Sequence, residues 1–172
     1  CNVHCWYCFV PDELKRGRLV NAKWLTAEQM VELYKKSDTG IRVIDLSGGN
    51  PELVPEWTLD TMKALERNEL QNKVYLWTDD TLTTDYAFEH LSKDELSYMT
   101  SYKNFGKVGC FKGFDAHSFA FNSKLPEGMY EKQFEQFERY VDMGLDIYGY
   151  VTLTSDNYDD IEEKMGKFVD RL

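Results

Sequence analysis

The chain has 172 residues, 42% of them hydrophobic and 15% aromatic, and its formal net charge at pH 7 is −10. This hydrophobic content is sufficient for the packed core of one domain, and the aromatic content argues against disorder. The negative charge disfavours a nucleic-acid partner, which needs a basic surface. The sequence contains no run of roughly 20 apolar residues, the length that could span a bilayer, so we expect no membrane partner.

Three of the four cysteines, Cys1, Cys5 and Cys8, lie within the first eight residues, and only Cys110 is distant. Three thiols so close together cannot all pair, so we expect reduced thiols and a cytoplasmic protein. Clustered thiols in a reducing compartment indicate metal ligation. Zinc usually takes four ligands, but His4 directly precedes Cys5, where both side chains cannot easily converge on one ion. A four-iron cluster held by three thiolates, with one iron open to a ligand, is the interpretation that we favour.

The first predicted helix and strand follow the cysteines. Thr26-Ala-Glu-Gln29 is a capping-box pattern, and the apolar residues after it fall on one helical face. Residues 41–46 predict a buried strand that ends at Gly48 and Gly49. Glycines at a strand end let the backbone turn sharply and let a ligand approach the main chain closely.

The remaining chain alternates between helix and strand. Strands are predicted at 73–78, 107–112 and 146–153. Helices are predicted at 55–70, after a capping box at Ser92–Glu95, before Gly144, and at 158–168. Such alternation predicts four parallel strands with helices on one side. Ligands bind at the carboxyl ends of such strands. Cys110 lies inside a predicted strand, and we expect it to be a buried core thiol.

Two motifs together indicate a family. Cys1-Asn-Val-His-Cys5-Trp-Tyr-Cys8 resembles the cluster-binding loop of the radical S-adenosylmethionine (SAM) superfamily, a Cys-x3-Cys-x2-Cys pattern with an aromatic residue before the third cysteine. The strand ending in Gly48-Gly49 is similar to the strand of that family that ends in Gly-Gly-Glu. The resemblance implies an α/β fold, a partial (β/α)6 barrel of the TIM type, cropped here to about four parallel βα units. Residues 1–172 would then be a radical SAM core domain from which the first and last barrel strands are missing.

The resemblance also implies cofactors and their ligands. Cys1, Cys5 and Cys8 would hold a [4Fe–4S] cluster, and SAM would chelate the open iron. One electron would cleave SAM to methionine and a 5′-deoxyadenosyl radical, which takes a hydrogen atom from a substrate. The SAM contacts that the resemblance implies are Tyr7 near the adenine, Gly48 and Gly49 near the methionine amino group, Asn50 beside them, and Thr78 and Asp79 near the ribose or carboxylate. Asn50 stands where the family has glutamate, which puts a direct carboxylate contact in doubt.

Within the superfamily, GCFKGFDAHSF and YEKQFEQFERYVDMGLDIYGYVTLT are most similar to the branch of pyruvate formate-lyase activating enzyme. That branch would imply activation of a glycyl-radical enzyme, with flavodoxin or ferredoxin as electron donor. A small-molecule substrate is the alternative. Two other interpretations remain open: an iron–sulfur or electron-transfer module without SAM chemistry, suggested by Asn50, and a zinc-binding structural domain.

Overall fold

The computed structural model describes residues 1–15, 17, 22–37 and 39–172. Four strands, β1 (Val43–Leu46), β2 (Tyr75–Asp80), β3 (Phe105–Phe111) and β4 (Ile147–Val151), form one sheet in the order β1-β2-β3-β4. All three neighbouring pairs are parallel, as predicted. The helices are α1 (Asp12–Lys15), α2 (Ala27–Ser37), α3 (Glu56–Arg67), α4 (Tyr86–His90), α5 (Lys93–Ser101), α6 (Ala116–Ser123), α7 (Tyr130–Asp142) and α8 (Ile161–Val169), with short 3-10 turns at Pro51–Leu53 and Glu127–Met129.

Strand β2 begins and ends two residues later than predicted. The backbone N–H groups of Lys73 and Val74 donate to the carbonyl of Leu70, at 2.8 and 2.9 Å, so these two residues close a turn after α3. The ladder therefore starts at Tyr75, whose N–H donates to the carbonyl of Arg42 at 2.8 Å. As a consequence, Thr78 and Asp79 lie inside the strand instead of at its end.

The connections also contain more helices than predicted, because β2 and β3 are each followed by two helices. The capping box at Ser92 is confirmed and opens α5, the second helix after β2. The helix after β3, α6, has a capping box that the sequence reading missed, in which the Asp115 side chain accepts from the Ser118 N–H at 2.7 Å. A Cβ atom at Gly113 would lie 2.3 Å from the Phe119 nitrogen, so only glycine lets α6 start this close to β3.

The two faces of the sheet differ sharply. In β2, Leu76 and Asp80 are buried against the helices, where residues of α2 to α8 and of the strands form one hydrophobic core. The alternate residues face the other way and form an aromatic row: the ring of Trp77 lies 5.3 Å from Tyr148 and 6.0 Å from Tyr75. We call this second side the open face. No helix in the part of the chain that the structure describes is long and apolar enough to cross a membrane.

A charged group, called here the Lys107 network, lies on the helix side of the sheet. Lys107 is fully buried and pairs with Glu52 and with Asp80, whose carboxylate oxygen lies 3.6 Å from its Nζ. The Tyr140 hydroxyl donates to Glu52 at 3.1 Å. Burial raises the pKa of Asp80 to about 6, with Lys107 opposing and Glu52 adding to the rise. Since Glu52 belongs to the turn after Gly49, the network ties that turn to β2, β3 and α7.

Candidate functional site

A cavity of about 130 Å³ opens at the carboxyl ends of the strands, beneath the residues 1–8 that we call the cysteine loop. The carboxyl ends of parallel strands are where an α/β sheet binds its ligands. Seven of the nine residues that the sequence nominated for cofactors border this one cavity: Cys1, Cys5, Tyr7, Cys8, Gly48, Gly49 and Asp79. The fold thus brings together residues that are up to 78 positions apart in the chain.

Two of the nominated residues lie elsewhere. Thr78 is completely buried, because it lies inside β2 on the same face as Leu76 and Asp80, which packs against the helices. Asn50 is 6% exposed and borders a neighbouring depression together with Gly48 and Gly49. Its side chain donates to Asn2 instead of pointing into the cavity.

The cysteine loop is fixed to the ends of several distant elements. The His4 N–H donates to the Ser123 carbonyl at 2.9 Å, and the Trp6 indole N–H donates to the Asn122 side chain at 3.1 Å. Both partners belong to the last turn of α6. Val3 is buried, which anchors the loop from its apolar side. These contacts hold a segment that has no regular secondary structure of its own.

Tyr7 joins the loop to the end of β4. Its hydroxyl lies 3.0 Å from the Thr152 hydroxyl, and its ring meets the Trp6 ring edge-on with centroids 5.6 Å apart. Burial raises the pKa of Tyr7 well above the usual tyrosine value, although the Thr152 hydrogen bond opposes the rise. Tyr7 is therefore neutral at physiological pH and presents an aromatic surface to the cavity.

The turn at Gly48 and Gly49, called here the Gly-Gly turn, has a backbone conformation that requires glycine at its first position. Gly48 has φ +81°, in the left-handed region where other residues are strained. Just before it, the Ser47 hydroxyl donates to the carboxylate of Asp79, which connects the turn to β2. A Cβ atom at Gly49 would meet nothing within 4 Å, so the backbone there is open to a ligand.

The donor set fits a cluster better than a single ion. Cys1 and Cys8 are exposed, Cys5 is half-buried, and all three are free thiols that border the same cavity. A zinc ion needs its ligand atoms about 2.0–2.3 Å from one point. Within the described ranges, no group of three or more His, Cys, Asp or Glu side chains is arranged around one such point. In a four-iron cluster each thiolate binds a different iron, so the three thiols need to border one cavity, as they do, and need not converge on one point.

Two cations that sequence reasoning missed also border the cavity, Lys15 from α1 and Lys112 from the end of β3. Thiolates and an anionic ligand group are both stabilised by nearby positive charge. Lys112 is the last residue of the strand predicted at 107–112, and this position at a strand end was a usable signal. Nothing in the sequence around Lys15 points to the cavity.

Cys110 lies in β3 as predicted, but the expectation that it is a buried core thiol is wrong. It is half-buried on the open face, because the side chains of its neighbour Phe111 and of Lys107 take the helix side. Burial raises the pKa of Cys110 to about 11, with Lys112 opposing the rise. The thiol is therefore protonated at neutral pH, unlike a metal-binding thiolate.

Comparison with known proteins agrees with this geometry. Crystal structures of SuiB from Streptococcus suis match the fold, alone (TM-score 0.65, 16% identity), bound to its precursor peptide SuiA (0.63, 14%) and bound to S-adenosylmethionine (0.61, 15%). Each match covers 99% of this chain and about a third of the SuiB chain, 34–35%. At such low identity the likeness concerns the fold alone. No curated protein matches the chain significantly.

Sequence comparison with protein families gives a more specific result. The model of the radical SAM superfamily matches residues 1–167, which include the cysteine loop, the Gly-Gly turn and all four strands. The match therefore spans every element that borders the cavity. This chain belongs to the radical SAM superfamily.

Proposed function

We propose that the protein containing this chain cleaves SAM reductively, with Cys1, Cys5 and Cys8 as ligands of its cluster. The family uses a [4Fe–4S] cluster and SAM. The observation that carries the proposal is the single cavity that these three thiols share with the Gly-Gly turn. A cofactor held in this cavity would lie against the exposed backbone at Gly49.

The residues around the cavity have separate tasks in this proposal. When bound and reduced, the cluster supplies the electron that cleaves the sulfonium of SAM. The backbone at Gly48 and Gly49 receives the methionine amino group, and the neutral ring of Tyr7 packs near the adenine. Asp79, held by Ser47, faces the ribose or carboxylate side. Thr78 has no part in this arrangement, because its side chain is buried behind the sheet.

The class of substrate is a further part of the proposal. SuiB has been solved with a precursor peptide, and we propose a peptide or protein substrate for this enzyme as well. The aromatic row of the open face, Tyr75, Trp77 and Tyr148, offers a surface on which a side chain of such a substrate can pack. The pyruvate formate-lyase activating branch and the flavodoxin or ferredoxin donor remain predictions. The three structural matches named above are SuiB chains and do not support that branch.

The test is anaerobic reconstitution of the full-length protein with iron and sulfide, followed by SAM and dithionite. We expect about four irons per chain and formation of 5′-deoxyadenosine that depends on dithionite. The reaction without dithionite is the matched control. Protein that binds zinc and takes up no iron would contradict the proposal.

A second candidate is an iron–sulfur or electron-transfer module without SAM cleavage. The observation that favours it is Asn50, which puts a carboxamide where the family has a carboxylate. Under this candidate the reconstituted protein holds the cluster and yields no 5′-deoxyadenosine. The same experiment therefore separates the two candidates.

A further inference from the structure

The side chain of Asn50 has no N–H donor left for a cofactor. Its Oδ1 accepts from the backbone N–H of Thr81 at 3.4 Å, which fixes the orientation of the carboxamide. Its Nδ2 then donates to the Thr81 hydroxyl and to Oδ1 of Asn2, both at 3.0 Å. These two bonds use both of the N–H donors that a carboxamide has.

The hydrogen bonds continue through Asn2 into the loop after β2. The Nδ2 of Asn2 donates to the Thr83 hydroxyl at 2.7 Å, and the hydroxyls of Thr81 and Thr83 are 2.7 Å apart. Thr81 and Thr83 are each 5% exposed. Water therefore has little access to replace these bonds, which makes the loss of one partner costly.

The backbone between the two threonines is held in an unusual shape. Leu82 has φ +56°, a left-handed conformation that non-glycine residues adopt at a cost. Its N–H donates to the Asp80 carboxylate at 2.7 Å, and its side chain is fully buried. The turn that brings the two hydroxyls together is thus fixed from the helix side of the sheet.

We propose that Asn50 is a positioning residue that clamps the cysteine loop to the Gly-Gly turn. Asn2 follows Cys1 and Asn50 follows Gly49, so the Asn2–Asn50 bond sets the distance between the first thiolate and the backbone that receives the cofactor. A carboxylate at position 50 has no N–H to donate to Asn2 and Thr81, which gives a chemical reason for asparagine here. The inference rests on the proposed function and assigns Asn50 to the protein's own loop instead of to SAM.

The experiment compares Asn50→Ala, Asn2→Ala, the double variant and Asn50→Asp in the full-length protein, with the exposed Asn72→Ala as control. Three quantities are measured: hydrogen exchange at residues 3–8 in the metal-free protein, the rate of iron loss to a chelator, and the dissociation constant of SAM. We expect each single alanine variant to speed loop exchange and iron loss about fivefold to tenfold. Because the two side chains share one hydrogen bond, the effect of the double variant should fall short of the sum of the two single effects.

Several outcomes would contradict the proposal that Asn50 positions the cysteine loop. If Asn50 touches SAM directly, Asn50→Ala weakens SAM binding alone, while Asn2→Ala leaves exchange and iron loss unchanged. Fully additive effects of the two variants would also contradict it, as would tighter SAM binding by Asn50→Asp with an unchanged loop. Should Asn50→Ala fail to fold, Thr83→Val removes the partner of Asn2 in nearly the same volume and must reproduce the faster exchange. Hydrogen exchange needs no cluster, so protein that binds no iron defeats the proposed function while the clamp is still tested.

Discussion

The Lys107 network lies on the helix side of the sheet and the cysteine loop lies at the carboxyl ends of its strands, and the two regions are built in opposite ways. In the Lys107 network, every charged group is buried and has partners supplied by four different segments of the fold. In the cysteine loop the thiols are largely exposed, and the loop is held by hydrogen bonds that His4 and Trp6 donate to the last turn of α6. The contrast shows how a segment without regular secondary structure can be positioned: by contacts to distant elements and not by a ladder or helix of its own.

The two regions are nevertheless connected through β2. Asp80 belongs to the Lys107 network and accepts the N–H of Leu82, which shapes the turn that carries Thr81 and Thr83. Those hydroxyls bind Asn50 and Asn2 beneath the cysteine loop. Damage to the network should therefore reach the loop, whereas damage to the loop should leave the network intact.

The largest effect should come from Lys107→Met. Two carboxyl groups then remain buried without a cation, and we expect a loss of about 3–5 kcal/mol in the free energy of unfolding. Chemical denaturation of the metal-free protein measures this loss. The exposed Lys103→Met, close to the same strand, is the control and should change the free energy of unfolding by less than about 0.5 kcal/mol. An unchanged free energy of unfolding in Lys107→Met would show that the Lys107 network does not stabilise the fold.

Removal of one thiol should affect only the other region. We expect Cys5→Ala to lose nearly all of its iron after reconstitution while its helical circular dichroism stays unchanged, because no core residue is disturbed. Cys110→Ser should keep its iron, since its thiol lies in β3 and not on the loop. Full iron content in Cys5→Ala would mean that the assigned ligands are incorrect.

The pH dependence of stability should show that the Lys107 network has two buried carboxyl groups, Glu52 and Asp80, for one lysine. A folded-state pKa of about 6 lies above the ordinary aspartate value of 3.8, so Asp80 favours folding when protonated and opposes it when ionised. Relative to Asp80→Asn, the wild type should thus lose stability as the pH rises from about 4 to 7, by up to about 3 kcal/mol. Denaturation of both proteins across that range measures the difference. Wild-type stability that rises relative to Asp80→Asn over that pH range would contradict the raised pKa.

The smallest effect should come from Tyr7→Phe, which removes only the hydroxyl that meets Thr152. One half-exposed hydrogen bond contributes about 0.5–1.5 kcal/mol, so global stability should hardly change. We expect faster hydrogen exchange confined to residues 3–8 of the metal-free protein. Exchange that also rises in the strands would show that this contact supports more than the loop.

Local patterns in the sequence were enough for much of the fold. Strand–helix alternation predicted the parallel sheet, and the capping box at Ser92 predicted the start of α5, because both depend on residues a few positions apart. The two-residue error in β2 arose because the turn bonds of Lys73 and Val74 to Leu70 compete with the ladder. No hydrophobic pattern records that competition.

The sequence by itself determined the family, since the spacing of Cys1, Cys5 and Cys8 and the glycines after β1 point to the radical SAM superfamily. It also predicted the end of the sheet at which the cavity lies. Only the tertiary structure decided that Thr78 is buried, that Asn50 bonds to Asn2, and that Lys107 stands between two carboxyl groups. The physical reason is the separation along the chain. A motif consists of neighbouring residues, whereas these hydrogen bonds and ion pairs join residues 27 to 55 positions apart. Whether such residues meet depends on the whole fold.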